Sequence, residues 1–149
     1  MDRVTSGNVG RPVFEALEQR LLLSGTTYVV DSLADVVAGD GAIPLREAIQ
    51  AANTNAIVHN AAAGSSTETD IITFHSSLSG GTITLDGTEL SITGDLESHG
   101  LGAEELTIDA DGRSRVFYVG EDITAGFDSL TISGGYVGNL DYKYGGGIY

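Results

Sequence analysis

The sequence predicts an all-β chain whose short strands wind into stacked coils, a parallel solenoid closed on its N-terminal side by one α-helix. Three observations carry this expectation. From Asp70 onward the chain breaks into brief alternating runs at 71–74, 82–85, 90–92, 106–108, 116–119 and 130–132, each bounded by glycine, aspartate or serine turns. Ile83, Leu106 and Leu130 recur at intervals of roughly 23–24 residues, within the range that marks a repeat architecture. In the segment LREAIQAAN, Leu45, Ala48, Ile49 and Ala52 fall at i, i+3, i+4 and i+7, the spacing of one apolar helix face.

The elements follow in order. Residues 1–10 are polar and aperiodic and read as a disordered lead-in. The stretch FEALEQRLLLSG after Arg11-Pro12 puts Phe14, Leu17 and Leu21 at helical spacing, and Gly25 ends it. Thr27 to Val30 are β-branched and aromatic, which predicts a strand. In the helix after Pro44, which suits a first helical position, Arg46, Glu47 and Gln50 are expected to face water. Residues 53–69 lack a period and are read as loop. The chain thus divides into a lead-in with a sorting segment (1–25), a cap (26–69) and coils (70–149).

The pairs Ile83/Leu85, Leu90/Ile92, Leu106/Ile108 and Leu130/Ile132 are two apart, so both members of each point to one side of a strand. Burying each side chain contributes roughly 1.5–3 kcal/mol, against about 1–2 kcal/mol of backbone entropy per ordered residue, so one coil cannot stand alone. The final GGGIY falls within what reads as a new coil, and the chain is therefore expected to be a truncated piece of a longer protein.

Charge narrows the partners. The chain of 149 residues carries 21 acidic and 7 basic residues, and Arg3, Arg11 and Arg20 precede the predicted strands, so the rest is strongly acidic. Such a surface repels phosphate backbones and anionic lipid. The absence of cysteine excludes disulfides and thiolate metal sites, and no apolar run approaches the ~18 residues of a membrane span.

Candidate chemistry is sparse. Asp109 and Asp111, with Arg113 and Arg115 beside them, are the candidate metal ligands, and calcium is the ion such oxygen donors would suit. An EF-type loop counted from Asp109 would need glutamate where Gly120 stands, and Asp111-Gly112 equally suits a plain turn. His59, His75 and His99 lack ligand spacing, and no catalytic triad or nucleotide-binding glycine pattern is present. Tyr136, Tyr142, Tyr144 and Tyr149 gather near Lys143, a clustering that suits sugar stacking, an interface or a coil edge.

Taken in order, GAIPLREAIQAANT, DIITF, GGTITLDGTELSITGD, LTIDADGRSRVFYV, LTISGG and GGGIY resemble the start of bacterial extracellular β-helix proteins related to polymorphic outer membrane proteins, over about residues 28–149. The resemblance implies a right-handed parallel β-helix whose LREAI helix caps the first coil. Ile43 and Pro44 stand where that family commonly has Cys-Ser or Cys-Thr, which removes a helix cap typically worth about 1 kcal/mol. Separately, FEALEQRLLLSG, through Phe14, Glu15, Leu17, Glu18, Arg20, Leu21, Leu22 and Leu23, resembles the sorting segment of large planctomycete-type extracellular proteins. These resemblances imply an exported structural or adhesin-like module without catalytic residues or a cofactor of its own. Its expected partners are extracellular or cell-surface polysaccharide or protein, with no nucleic acid and no membrane span. The alternative is the N-terminal coils of a pectate-lyase-like polysaccharide lyase or glycoside hydrolase.

Overall fold

The strand at Thr27–Val30 (β1) leads into a loop, the helix Leu45–Thr54 (α1) and a second loop before the remaining strands begin. These are β2 (Asp70–Phe74), a 3-10 turn at Ser76–Leu78, β3 (Gly81–Thr84), β4 (Leu90–Ile92), β5 (Leu96–His99), β6 (Leu106–Asp109), β7 (Phe117–Val119), β8 (Ala125–Asp128) and β9 (Thr131–Ser133). The structure, a computed structural model, describes residues 25–138 and 145–149. The lead-in, the sorting segment through Leu23, and Tyr142, Lys143 and Tyr144 lie outside the described residues.

The strands form three parallel sheets, ordered β1-β2-β5-β8, β3-β6-β9 and β4-β7. An isolated parallel bridge from Phe117 to Ile148 continues the third. From β2 onward the chain visits the sheets in turn, so β2-β3-β4, β5-β6-β7 and β8-β9-Ile148 make three successive rungs.

The expected class, an all-β right-handed solenoid, is corrected by this architecture. The arrangement is α/β-like, with one helix and three short, separate parallel sheets in place of a single β-helix. The helix is a wall of the core: Leu45, Glu47, Ala48, Ile49, Ala51 and Ala52 are all buried. The ladders are three or four residues long and are interrupted at every corner.

Register explains the core. Strand alternation sends Tyr28, Ile72, Ser98 and Phe127 inward, and they lie opposite one another across β1, β2, β5 and β8. Ile83, Ile108 and Ile132 stack in the second sheet, and Leu90, Phe117 and Ile148 in the third. Phe117 also meets Phe127 with ring centroids 4.4 Å apart, joining two sheets across the interior. Ser98 interrupts this apolar ladder, and its buried hydroxyl has no hydrogen-bond partner among the described residues.

Two charged side chains fix α1, and both depart from the sequence expectation that Arg46 and Glu47 face water. Glu47 is fully buried and accepts backbone N–H groups from Ala38 (3.3 Å), Asn60 (2.8 Å) and Ala61 (3.2 Å). Asn60 completes the tie by donating from its side chain to the carbonyls of Ala38 and Ala42. Arg46 pairs with Asp35 in two parallel bonds of 2.7 and 2.8 Å, and also donates to the carbonyls of Thr88 and Glu89. Gln50 alone of the three is exposed. Pro44 lies at the N-cap with φ −69°, one residue earlier than expected, and its carbonyl accepts the Ala48 N–H. The Leu45, Ala48, Ile49 and Ala52 face packs toward β1 and β4, the first strands of their sheets.

A third buried carboxylate, Asp70, receives N–H groups from Thr26 and Ser65, at distances from 2.7 to 3.2 Å. The carboxylate comes so close to Gly64 that a Cβ there would collide with it. Nearby, Tyr28 donates its hydroxyl to the Ala62 carbonyl. Burial, reinforced by the Asp70 carboxylate, pushes the Tyr28 phenol far above its ordinary range and keeps it a neutral donor.

Two stability measurements test this account. In urea unfolding, Glu47→Ala should cost about 3 kcal/mol because buried amides lose their acceptor, while Gln50→Ala should change stability by less than about 0.5 kcal/mol. Equal effects would contradict the burial of Glu47. Ser98→Ala should stabilise by about 1 kcal/mol by removing an unpaired buried hydroxyl, and a loss of stability would show that the hydroxyl is in fact bonded.

Candidate functional site

The corners between the second and third sheets lie over one another along the stack, at 85–89, at 110–116 and, on the last rung, at the described residues 134–138. They border an open groove of about 450 Å³, lined by Gly87, Thr88 and Glu89 on one rung, Ser114 and Arg115 on the next, and Tyr136, Val137 and Gly138 on the third. Arg115 is held from two sides: its Nη1 lies 3.5 Å from Glu89 Oε2, and its guanidinium sits 4.6 Å from the centroid of the Tyr149 ring. Tyr149 in turn stacks on Tyr118 at 5.7 Å. A cation against an aromatic face is attracted by the ring's negative π surface, so this stack orients Arg115 as well as covering it.

The groove rests on bonds made elsewhere in the fold. Arg46 of α1 binds the Thr88 and Glu89 carbonyls, and the Tyr136 N–H donates to Ser114 O at 2.8 Å. The Tyr136 side of the groove is open, with 53% of that residue exposed.

Asp109 and Asp111 are engaged within a turn. Asp111 (φ 52°) and Gly112 (φ 67°) both have positive φ, as a type I′ turn requires, and the Arg113 N–H closes the turn on Ala110 O at 3.0 Å. Asp109 Oδ1 accepts the Asp111 N–H at 2.8 Å, and Asp111 pairs with Arg113 at 3.2 Å. Both carboxylates thus have partners inside the turn, and Arg115 points to the groove instead. Among the described residues no cluster of three or more histidine and acidic side chains is placed to hold a metal ion.

The histidines stay apart, and two of them have local roles. His75 caps the 3-10 turn by accepting the Ser77 N–H. His99, on the outer face of β5, stands in register with Asp128 of β8, and its Nδ1 lies 2.5 Å from Asp128 Oδ2 while Nε2 lies 3.4 Å from Glu97. The hydrogen bond to Asp128, then the charges of Asp128 and Glu97, raise the His99 pKa above its usual value, and the same bond, assisted by Ser129, lowers that of Asp128. All three groups are substantially exposed.

A second cleft, of about 320 Å³, lies where the end of α1 (Ala52, Asn53, Asn55) meets 65–70 and 93–95. Its polar groups are largely engaged: Asn53 bridges Ser91 O and the Thr93 N–H, and Asp95 accepts the Thr124 N–H. Among the described residues no helix is long and apolar enough to cross a membrane.

The pairing of Glu89 with Arg115 and of His99 with Asp128 escaped sequence reasoning, because each joins residues one rung apart. The signal would have been strand register, which a single sequence shows only through its apolar periodicity. Comparison with known proteins adds no family: no family model, curated protein or solved structure matches the chain.

The His99 arrangement gives a signed pH dependence. A raised histidine pKa contributes stability in full below the unfolded value of 6.5, and this contribution fades as pH rises through the higher folded value. The lowered Asp128 pKa adds stability above its ordinary value of 3.8, lost as pH falls through the depressed one. NMR titration of the His99 ring should give a midpoint above 6.5 that Asp128→Asn moves down more than Glu97→Gln does. An unchanged midpoint in Asp128→Asn would refute the pairing.

Proposed function

We propose that this chain is part of an exported protein and acts as a structural or adhesive module at the cell surface, without catalysis of its own. The observation that carries the reading is the corner groove: a mixed aromatic and polar surface built across three rungs and held by bonds to a rigid core. Binding surfaces are commonly placed in this way, on corners and loops held by a regular frame. The candidate metal ligands contribute nothing to this surface, since Asp109 and Asp111 are bound into their own turn.

Export is supported by the resemblance of FEALEQRLLLSG to planctomycete-type sorting segments, and a surface role by the resemblance of the LREAI-to-GGGIY series to extracellular proteins related to polymorphic outer membrane proteins. The acid excess fits partners other than nucleic acid or anionic lipid. An extracellular polysaccharide or a surface protein is the partner class proposed.

Protease added to intact producing cells should cleave this chain while a cytosolic marker survives. Full protection in intact cells, with cleavage only after lysis, would overturn the surface assignment. The purified chain should release no unsaturated products from polygalacturonate with or without added calcium, and their appearance would move the reading to a lyase.

A further inference from the structure

We propose that the corner groove binds a neutral, extended oligosaccharide, with the Tyr136 ring stacked on a sugar face and the Arg115–Glu89 pair hydrogen-bonded to its hydroxyls. The proposal rests on the surface-module reading and names the ligand class of that groove.

Shape comes first. Parallel strands lie about 4.8 Å apart, so a groove crossing three successive rungs runs roughly 10 Å along the stack. That length favours a short stretch of a linear polymer over a single compact metabolite.

Chemistry narrows the polymer. A pyranose ring offers an apolar C–H face and a rim of hydroxyls that both donate and accept. The groove offers the matching set: the exposed Tyr136 ring, a guanidinium that only donates and a carboxylate that only accepts. Arg115 is held in place by Glu89 and the Tyr149 ring before any ligand arrives, so little side-chain ordering remains for binding to impose.

Charge decides between sugar classes. The Arg115 charge is already matched by Glu89, so an anionic sugar would compete with that carboxylate in a chain of net charge −14. A cationic sugar would meet the guanidinium. A neutral polyhydroxyl ligand uses both groups and breaks neither.

The backbone favours a sugar over a peptide where its groups are already paired. Extended peptides gain affinity by pairing with free main-chain groups. Here the Thr88 and Glu89 carbonyls are taken by Arg46, and the Tyr136 N–H and Ser114 carbonyl by each other. These four main-chain groups are therefore already paired, and at their positions recognition falls to the side chains.

The test is an NMR titration of the full chain with cellotetraose, maltotetraose and mannotetraose as neutral probes, tetragalacturonate as the anionic probe, and an extended tetrapeptide. At least one neutral probe should bind, with amide shifts concentrated at Thr88, Glu89, Ser114, Arg115 and Tyr136. Tyr136→Ala should weaken that binding roughly tenfold, in line with the loss of one stacked ring, without changing the melting temperature, and Tyr136→Phe should retain it. Arg115→Lys should also weaken it, because an ammonium lacks the planar fork of donors. No shift with any neutral probe, binding of tetragalacturonate or the peptide alone, or full binding by Tyr136→Ala would each overturn the proposal. None of these outcomes bears on whether intact cells expose the chain to protease, so the two readings fail separately.

Discussion

A ten-residue helix has little stability of its own in water, so α1 holds its place through what fastens it. Its apolar face supplies area, but area is non-directional and leaves the helix free to slide or rotate. Glu47 and Arg46 remove that freedom. The first gathers the backbone amides of two loops into the interior, and the second joins the helix to Asp35 and to the 88–89 corner. Burying a carboxylate is costly unless it is hydrogen-bonded, and Glu47 accepts three N–H groups across its two oxygens. With α1 set, β1 and β4 have a fixed wall, and the sheets behind them inherit their register.

Parallel pairing in register has a second effect, on the outer surface. Residues that point outward are stacked as strictly as those that point inward, so side chains far apart in sequence become neighbours at strand spacing. His99 and Asp128 meet in this way. On the outer face the result is a hydrated, titratable pair, and at the corners it is the braced set formed by Glu89, Arg115 and Tyr149. The core carboxylates, by contrast, are bonded to backbone amides and serve the frame.

Much of the strand content was legible in the sequence, because apolar residues two apart mark inward faces wherever the run is clean. The LSI run at 90–92 and the LTI run at 106–108 lie within strands. β5 and β8 were missed: LESH buries Leu96 and Ser98 but shows the reader a glutamate and a histidine, and AGFD carries a glycine. The repeat was caught with a slip of two residues, since Ile83 lies opposite Ile108, and Leu106 lies opposite Gly81. A period-2 pattern cannot tell these registers apart, as both keep the same face inward. Fold class was misjudged because a helix written as a lid proved to be part of the core. Glu47 was misplaced because helical periodicity puts any charged residue outside unless partners from distant loops are known. The groove was out of reach for the same reason, being assembled from three segments that touch only once the strands are aligned.

The corner that carries the groove lengthens along the chain, from 85–89 to 110–116, while the strands on either side keep their alignment. Extra residues in such a connection cost little, since loop entropy grows only slowly with length. The frame and its decoration can therefore diverge at different speeds, with mutation free to recompose one edge of the molecule while the interior keeps its pairing intact.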